Sequence, residues 1–208
     1  MQSNGFKILE FLVAFILVPV SFVFDYPHYL KLAVGFLGFL YVLFVLLKVE
    51  NEKFEISKAI DWPGFWKETC SKLILVGVVT TLFVWLTHPN ALFSVLVHKP
   101  FLWFLLLFVY SIFSVYPQEL IYRTFFFRRY SHFFKNEKVL VFINAIMFSL
   151  GHLFFWNVLV IVLTFLGGVL FAFTFYRTKS TLLVSIEHTL YGCWLFTVGM
   201  GAMLGFPT

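Results

Sequence analysis

Three short runs in this chain place ionisable or amide groups inside otherwise apolar sequence. The first is Pro117-Gln-Glu-Leu-Ile-Tyr-Arg123, carrying Gln118, Glu119 and Arg123. The second is Phe148-Ser-Leu-Gly-His152, with Asn144 one turn upstream. The third is Glu187-His-Thr-Leu-Tyr-Gly192. On a helix, Glu119 and Arg123 share a face and an ion pair is available to them. Phe148 and His152 share a face in the same way, as do His188 and Gly192. Gln118 projects about 100° from Glu119, and Glu187 about 100° from His188. Two histidines, a carboxylate and an arginine in a dry site are what hydrolysis by activated water requires. A carboxylate or imidazole takes the proton, and a donor stabilises the developing oxyanion. The set Glu119, His152 and His188 also has the ligand types of a zinc site, although no HExxH run is present. Each group has a structural role open to it as well: a locked ion pair, or a histidine or asparagine bonded to a neighbouring helix.

The rest of the chain says what must position these groups. Of 208 residues, 61% are hydrophobic, 22% aromatic and 12% charged, and the mean hydropathy is +0.93. A soluble domain carries about 25% charged residues, and a 24.3 kDa chain has too little interior to hide this much apolar surface. A soluble globular protein, a disordered chain and a secreted disulfide scaffold are therefore excluded. The formal charge of +5 is a matter of topology here and implies no nucleic-acid partner, because the basic residues lie between apolar runs. Cys70 and Cys193 are far apart without metal or redox spacing, and read as small hydrophobes.

The expected fold is all-α and polytopic, a single integral membrane domain over residues 1–208. A spanning helix needs about 20 mostly apolar residues. About seven windows qualify: Phe6 to Phe24, Tyr29 to Leu47, Leu73 to Leu86, Phe101 to Phe126, Val139 to Phe155, Val158 to Phe175 and Leu182 to Leu204. The first, with Glu10 near its start, reads as retained rather than cleaved. Lys48 to Lys72, with Phe54, Ile56, Trp62 and Trp66, reads as an amphipathic segment on the membrane surface, broken at Pro63-Gly64. With the N-terminus inside and the C-terminus out, 13 of the 15 Lys and Arg fall on the cytoplasmic side, Arg128, Arg129, Lys135 and Lys138 among them, and only Lys31 and Lys99 fall outside. At 1.5 Å per residue, Glu119 and His188 lie roughly 13 Å from Arg128 and Lys179, and His152 roughly 21 Å from Lys138. Matched depths imply one buried cavity among the last four helices.

An acidic pair followed by Arg, then Phe-x-x-x-His, then His-x-x-x-Asn, on successive membrane helices, is the order these runs follow. In this the chain resembles the CAAX-prenyl-protease and bacteriocin-processing (CPBP, or Abi) intramembrane endopeptidases. The resemblance is carried by Pro117 to Gly192, within an expected core of about residues 100–204. It implies an intramembrane endopeptidase that hydrolyses a peptide bond of a membrane-associated protein or peptide. In its terms Gln118 holds the first glutamate position, Glu119 the second, and Arg123 pairs with Glu119. His152 activates water with Phe148 as its motif partner, His188 stabilises the oxyanion, and Gly192 stands at the Asn position. A neutral amide is no general base, so the missing carboxylate falls to Glu119 or to Glu187. No cofactor is required in this reading, while zinc is the option of the metal-dependent one. The same residues also fit a catalytically silent relative that binds a membrane partner through the cavity, and Gln118 favours it. A transporter is disfavoured by the lack of an inverted-repeat pattern. The expected partners are the bilayer and a membrane-borne substrate, and the expected location is a bacterial inner (plasma) membrane.

Overall fold

Four of the long helices begin where a short polar side chain takes over an unsatisfied N–H. Ser3 Oγ accepts from Phe6 N at 3.3 Å, Asp61 Oδ1 from Gly64 N at 3.0 Å, Asn136 Oδ1 from Lys138 N at 2.8 Å, and Asn157 Oδ1 from Leu159 N at 2.9 Å. The computed structural model describes residues 3–53 and 60–204; Phe54, Ile56 and Lys58 of the expected surface segment lie outside the described residues. Among the described residues six helices are long and apolar enough to cross a membrane: α1 (Asn4–Ser21), α2 (His28–Val49), α3 (Trp62–Thr87), α4 (Pro100–Phe133), α5 (Glu137–Phe155, α-helical over Glu137–Leu150) and α6 (Val158–Thr178). A seventh helix, α7 (Thr181–Val198), has 18 residues, carries Glu187 and His188, and is not among those six. The protein is thus an all-α, polytopic membrane protein. Large apolar side chains such as Phe101 (80% exposed), Phe113 (70%) and Leu75 (66%) face outward, as lipid requires.

Four local expectations are corrected. Pro63 and Gly64 do not break a surface segment. Pro63 sits in the first turn of α3, where a missing N–H costs nothing, and Asp61 caps that turn. α3 therefore runs 26 residues, with Leu73 to Leu86 extended through Thr69 to Lys72 and Thr87. α4 continues past Phe126 to Phe133. Helix α5 stops being α-helical at Leu150, so His152 lies on the turn beyond it, followed by a 3-10 turn over Leu153–Phe155. At the far end of the chain α7 stops at Val198, six residues short of Leu204, because Gly199 takes φ 107°.

The chain packs as two compact units, one of residues 1–55 and 118–181, the other of residues 56–117 and 182–208. In the first, Phe11 and Phe15 of α1 pack edge and face against Phe126 and Tyr130 of α4, with centroids 5.3–5.9 Å apart. Gly168 of α6 brings its backbone onto α5, where a Cβ would come within 3.0 Å of Ala145 Cα. Gly168 is thus a close helix contact of the kind small residues permit in membranes, while Gly167 faces Phe171 of its own helix. In the second unit α7 is fastened to α3 by Trp194 Nε1 donating to Thr80 Oγ1 at 2.9 Å. It is fastened to the first half of α4 by Trp103 Nε1 donating to Thr197 Oγ1 at 3.0 Å.

Candidate active site

Helix α4 is not uniformly α-helical. Its turns over Tyr110–Val115 and Leu120–Phe125 are π-helical, and the four residues Tyr116–Glu119 between them are α-helical. Pro117 has no N–H to give the ladder, and widened π turns of this kind often accompany functional sites. Gln118 and Glu119 therefore lie at the junction where the helix changes pitch.

In the first unit Glu119 and Arg123 are both wholly buried, with Arg123 Nε 3.4 Å from Glu119 Oε2. Arg123 Nη1 donates to Asn144 Oδ1 at 2.9 Å, and Asn144 Nδ2 donates to the Tyr122 carbonyl at 2.5 Å. The guanidinium also lies over the Phe148 ring, 4.7 Å from its centroid, and 5.8 Å from that of Phe171. One arginine thus ties α4 to α5 and α6 through charge, hydrogen bond and cation–π contact. Asn144 is part of this assembly and links α4 to α5.

Phe148 and His152 remain together although the helix has ended, their ring centroids 4.8 Å apart. His152 Nδ1 donates to the Phe148 carbonyl at 2.8 Å. A carbonyl only accepts, so the proton of the neutral ring is on Nδ1 and the lone pair is on Nε2. Gly151 makes this turn possible. A Cβ there would lie 2.1 Å from Tyr122 Oη and 2.9 Å from its Cζ. Tyr122, which nothing in its spacing singles out, therefore packs its phenol beside the His152 turn and its ring edge-on to Phe148 at 5.3 Å.

In the second unit His188 is 6% exposed and its Nε2 is hydrogen-bonded to Tyr110 Oη at 3.1 Å. Glu187 points elsewhere. It is wholly buried, accepts from Tyr191 Oη at 2.9 Å and from Lys72 Nζ at 3.2 Å, and Lys72 also pairs with Glu68 at 2.7 Å. Glu187 thus joins α7 to α3. Lys72, expected at the surface, is half of that joint. Gly192 is buried, and a Cβ on it would meet Tyr110 Oη at 2.1 Å. Tyr110 was illegible in the linear sequence, and the trace it leaves is the glycine one turn after His188.

Within the first unit, then, Glu119, Arg123, Asn144 and Phe148 are drawn together on α4 and α5 with Tyr122, His152 joins them through Phe148, and Gln118 adjoins Glu119 along α4. Within the second, His188 and Gly192 are drawn together with Tyr110, and Glu187 with Lys72 and Tyr191. Among the described residues no group of three or more His, Cys, Asp or Glu side chains is placed to hold a metal ion. The donor set a zinc ion would need is not found there.

Several apolar helices carrying two polar clusters define the class: a membrane-embedded protein that buries the carboxylates of Glu119 and Glu187, the guanidinium of Arg123 and the imidazole of His188. Residues 100–194 match the family model described as type II CAAX prenyl endopeptidase, Rce1-like. Over this segment, a little under half of the chain, the protein is similar to that family. The segment contains Gln118, Glu119, Arg123, Phe148, His152, Glu187, His188 and Gly192. No curated protein and no solved structure shows a detectable match to the chain.

Proposed function

We propose that the protein is an intramembrane endopeptidase that cleaves a membrane-associated protein or peptide by activated water, without a required cofactor. The observation that carries this is the tautomer of His152. Its Nδ1–H is committed to the Phe148 carbonyl, so Nε2 presents the lone pair of a general base, in the unit that also buries the Glu119–Arg123 pair. In this reading Glu119 and His152 take the proton of the attacking water. Arg123 holds the carboxylate in place. His188 takes the oxyanion-stabilising role of the third motif. Gln118, an amide where the resemblance expects a carboxylate, orients water or substrate as donor and acceptor and moves no proton. Phe148 fixes both His152 and Arg123.

The N-terminus and the basic connections are assigned to the cytoplasmic side by the distribution of Lys and Arg, in the plasma membrane of a bacterium. A prenylated substrate is an attribute of the matched family's name; any membrane-anchored peptide meets the chemistry. Gln118 favours a second reading, in which the same groups form a silent cavity that binds a membrane partner. Reconstituted protein, a panel of membrane-anchored peptides, and the variants Glu119→Gln, His152→Gln and Gln118→Glu separate the two. Cleavage by the parent that is lost in the first two variants supports the peptidase. A silent parent with cleavage gained in Gln118→Glu supports the binding reading.

A further inference from the structure

Gly192 lies inside helix α7, where glycine is less favourable than alanine. Its backbone is ordinary helix, since the only glycine of positive φ among the described residues is Gly199. Conformational freedom is therefore not what Gly192 supplies; space is. A Cβ at this position would lie 2.1 Å from Tyr110 Oη and 2.5 Å from both Cε1 and Cζ of the same ring. The hydroxyl filling that space is the one bonded to His188 Nε2 at 3.1 Å. His188, Gly192 and Phe196 follow one another along a single face of α7. The Tyr110 ring lies across that stripe, edge-on to Phe196 at 4.8 Å and to His188 at 6.1 Å. Its helix is held to α7 on both sides of the contact, by Trp103 to Thr197 at 3.0 Å and by Ser111 Oγ to Cys193 Sγ at 3.8 Å. The phenol is thus part of a fixed joint.

We infer that Tyr110 is the positioning residue for His188. Its hydroxyl, admitted by the glycine at 192, donates to Nε2 and supplies the polar group that a side chain at 192 would otherwise bring. With Nε2 accepting, the neutral ring carries its proton on Nδ1, which fixes the tautomer and ring orientation in which His188 serves its proposed role. This deepens the proteolytic reading and rests on it for the oxyanion role. The contact and the tautomer stand apart from that reading.

The test uses full-length protein labelled with 15N in its histidines, in lipid bilayers, with His188→Gln to assign the ring signals. The parent is expected to show the Nδ1–H tautomer at His188. Tyr110→Phe and Gly192→Ala are expected to shift the same pair of ring signals and to leave the other histidines unchanged. With a peptide that the parent cleaves, both variants lower kcat about a hundredfold at unchanged KM, the scale of a misplaced group. Tyr110→Ala/Gly192→Asn recovers part of the loss in Tyr110→Ala, because an amide one turn along reaches the imidazole. Ring signals unmoved in Tyr110→Phe, or an Nε2–H tautomer in the parent, overturn the inference. Shifted signals with full kcat make Tyr110 structural and overturn its positioning role. A parent that cleaves nothing contradicts the proteolytic reading, while the ring signals still decide the contact.

Discussion

Arg123 Nε stands 3.4 Å from Glu119 Oε2, one helical turn away, with neither side chain exposed. A buried pair of this kind is dangerous to half-remove, since the surviving charge is left in a low dielectric at a cost of about 3–5 kcal/mol. Arg123→Met is therefore expected to lower the unfolding midpoint in mild detergent more than the double variant Arg123→Met/Glu119→Leu does. Arg123→Lys is expected to fall between parent and Arg123→Met, because a lysine cannot both reach Glu119 and stack on Phe148 as the planar guanidinium does. If the double variant is the least stable of the three, the pair is not the organising contact.

The turn that carries His152 depends on the missing side chain of Gly151. Gly151→Ala puts a methyl 2.1 Å from Tyr122 Oη, so the phenol or the turn must move. Cleavage is expected to drop about tenfold or more, an amount that a displacement well under 1 Å can produce. Tyr122→Phe in the same background removes the closest atom and should restore part of the activity. Equal activity in Gly151→Ala and parent would show that the contact does not set the His152 geometry.

What the sequence made legible follows from contrast. Glu119, Arg123, His152, Glu187 and His188 stand out because each interrupts an apolar run, and a polar group in lipid has few reasons to be there. Tyr110 and Tyr122 do not stand out, being two aromatics among 31 Phe and 9 Tyr. Tyr110 meets His188 across 78 positions of sequence, a relation no local pattern encodes. Only Gly151 and Gly192, glycines beside the two histidines, hint at a close approach. The end of α5 was hidden because Gly151 and His152 sit among Phe and Leu that continue the apolar signal. Pro63 was read as a break because a proline opens a helix as readily as it ends one.

Arg129 shows the opposite failure. Basic residues next to a membrane helix usually report topology, yet Arg129 is wholly buried. It grips Glu10 through Nε at 2.6 Å and Nη2 at 3.3 Å, and Glu50 through Nη1 at 2.7 Å. Tyr130 Oη donates to Glu10 at 2.9 Å, and Tyr41 Oη donates to its other oxygen. Within the first unit this cluster joins α1, the end of α2 and α4, using one carboxylate from α1 and one from the residue that follows α2. Glu10→Ala removes the bidentate partner and is expected to destabilise the protein by about 3–5 kcal/mol, read as loss of folded yield or of unfolding midpoint. A loss no larger than the roughly 1 kcal/mol of an exposed pair would contradict the burial of this contact.

A glycine contact between α5 and α6 gives an independent check on the scaffold. Gly168→Val places a branched side chain against the Ala145 backbone, which has no flexible end to swing aside. Overpacking of this kind costs about 1–3 kcal/mol, and the expected result is a lower unfolding midpoint with the Glu119 and His152 phenotypes unchanged in rank. Ala145→Gly in the same background should return part of the loss.

The most direct measurement is cleavage of a membrane-anchored peptide by the purified, reconstituted protein, followed by mass spectrometry of the fragments. The parent is expected to release fragments from at least one peptide in a panel, and Glu119→Gln and His152→Gln each to reduce the rate by at least about a hundredfold, as loss of a general base does, while remaining folded. Cleavage that persists at the parental rate in both variants, or a parent that cuts nothing across the panel, would contradict the assignment of this site to water-activated proteolysis.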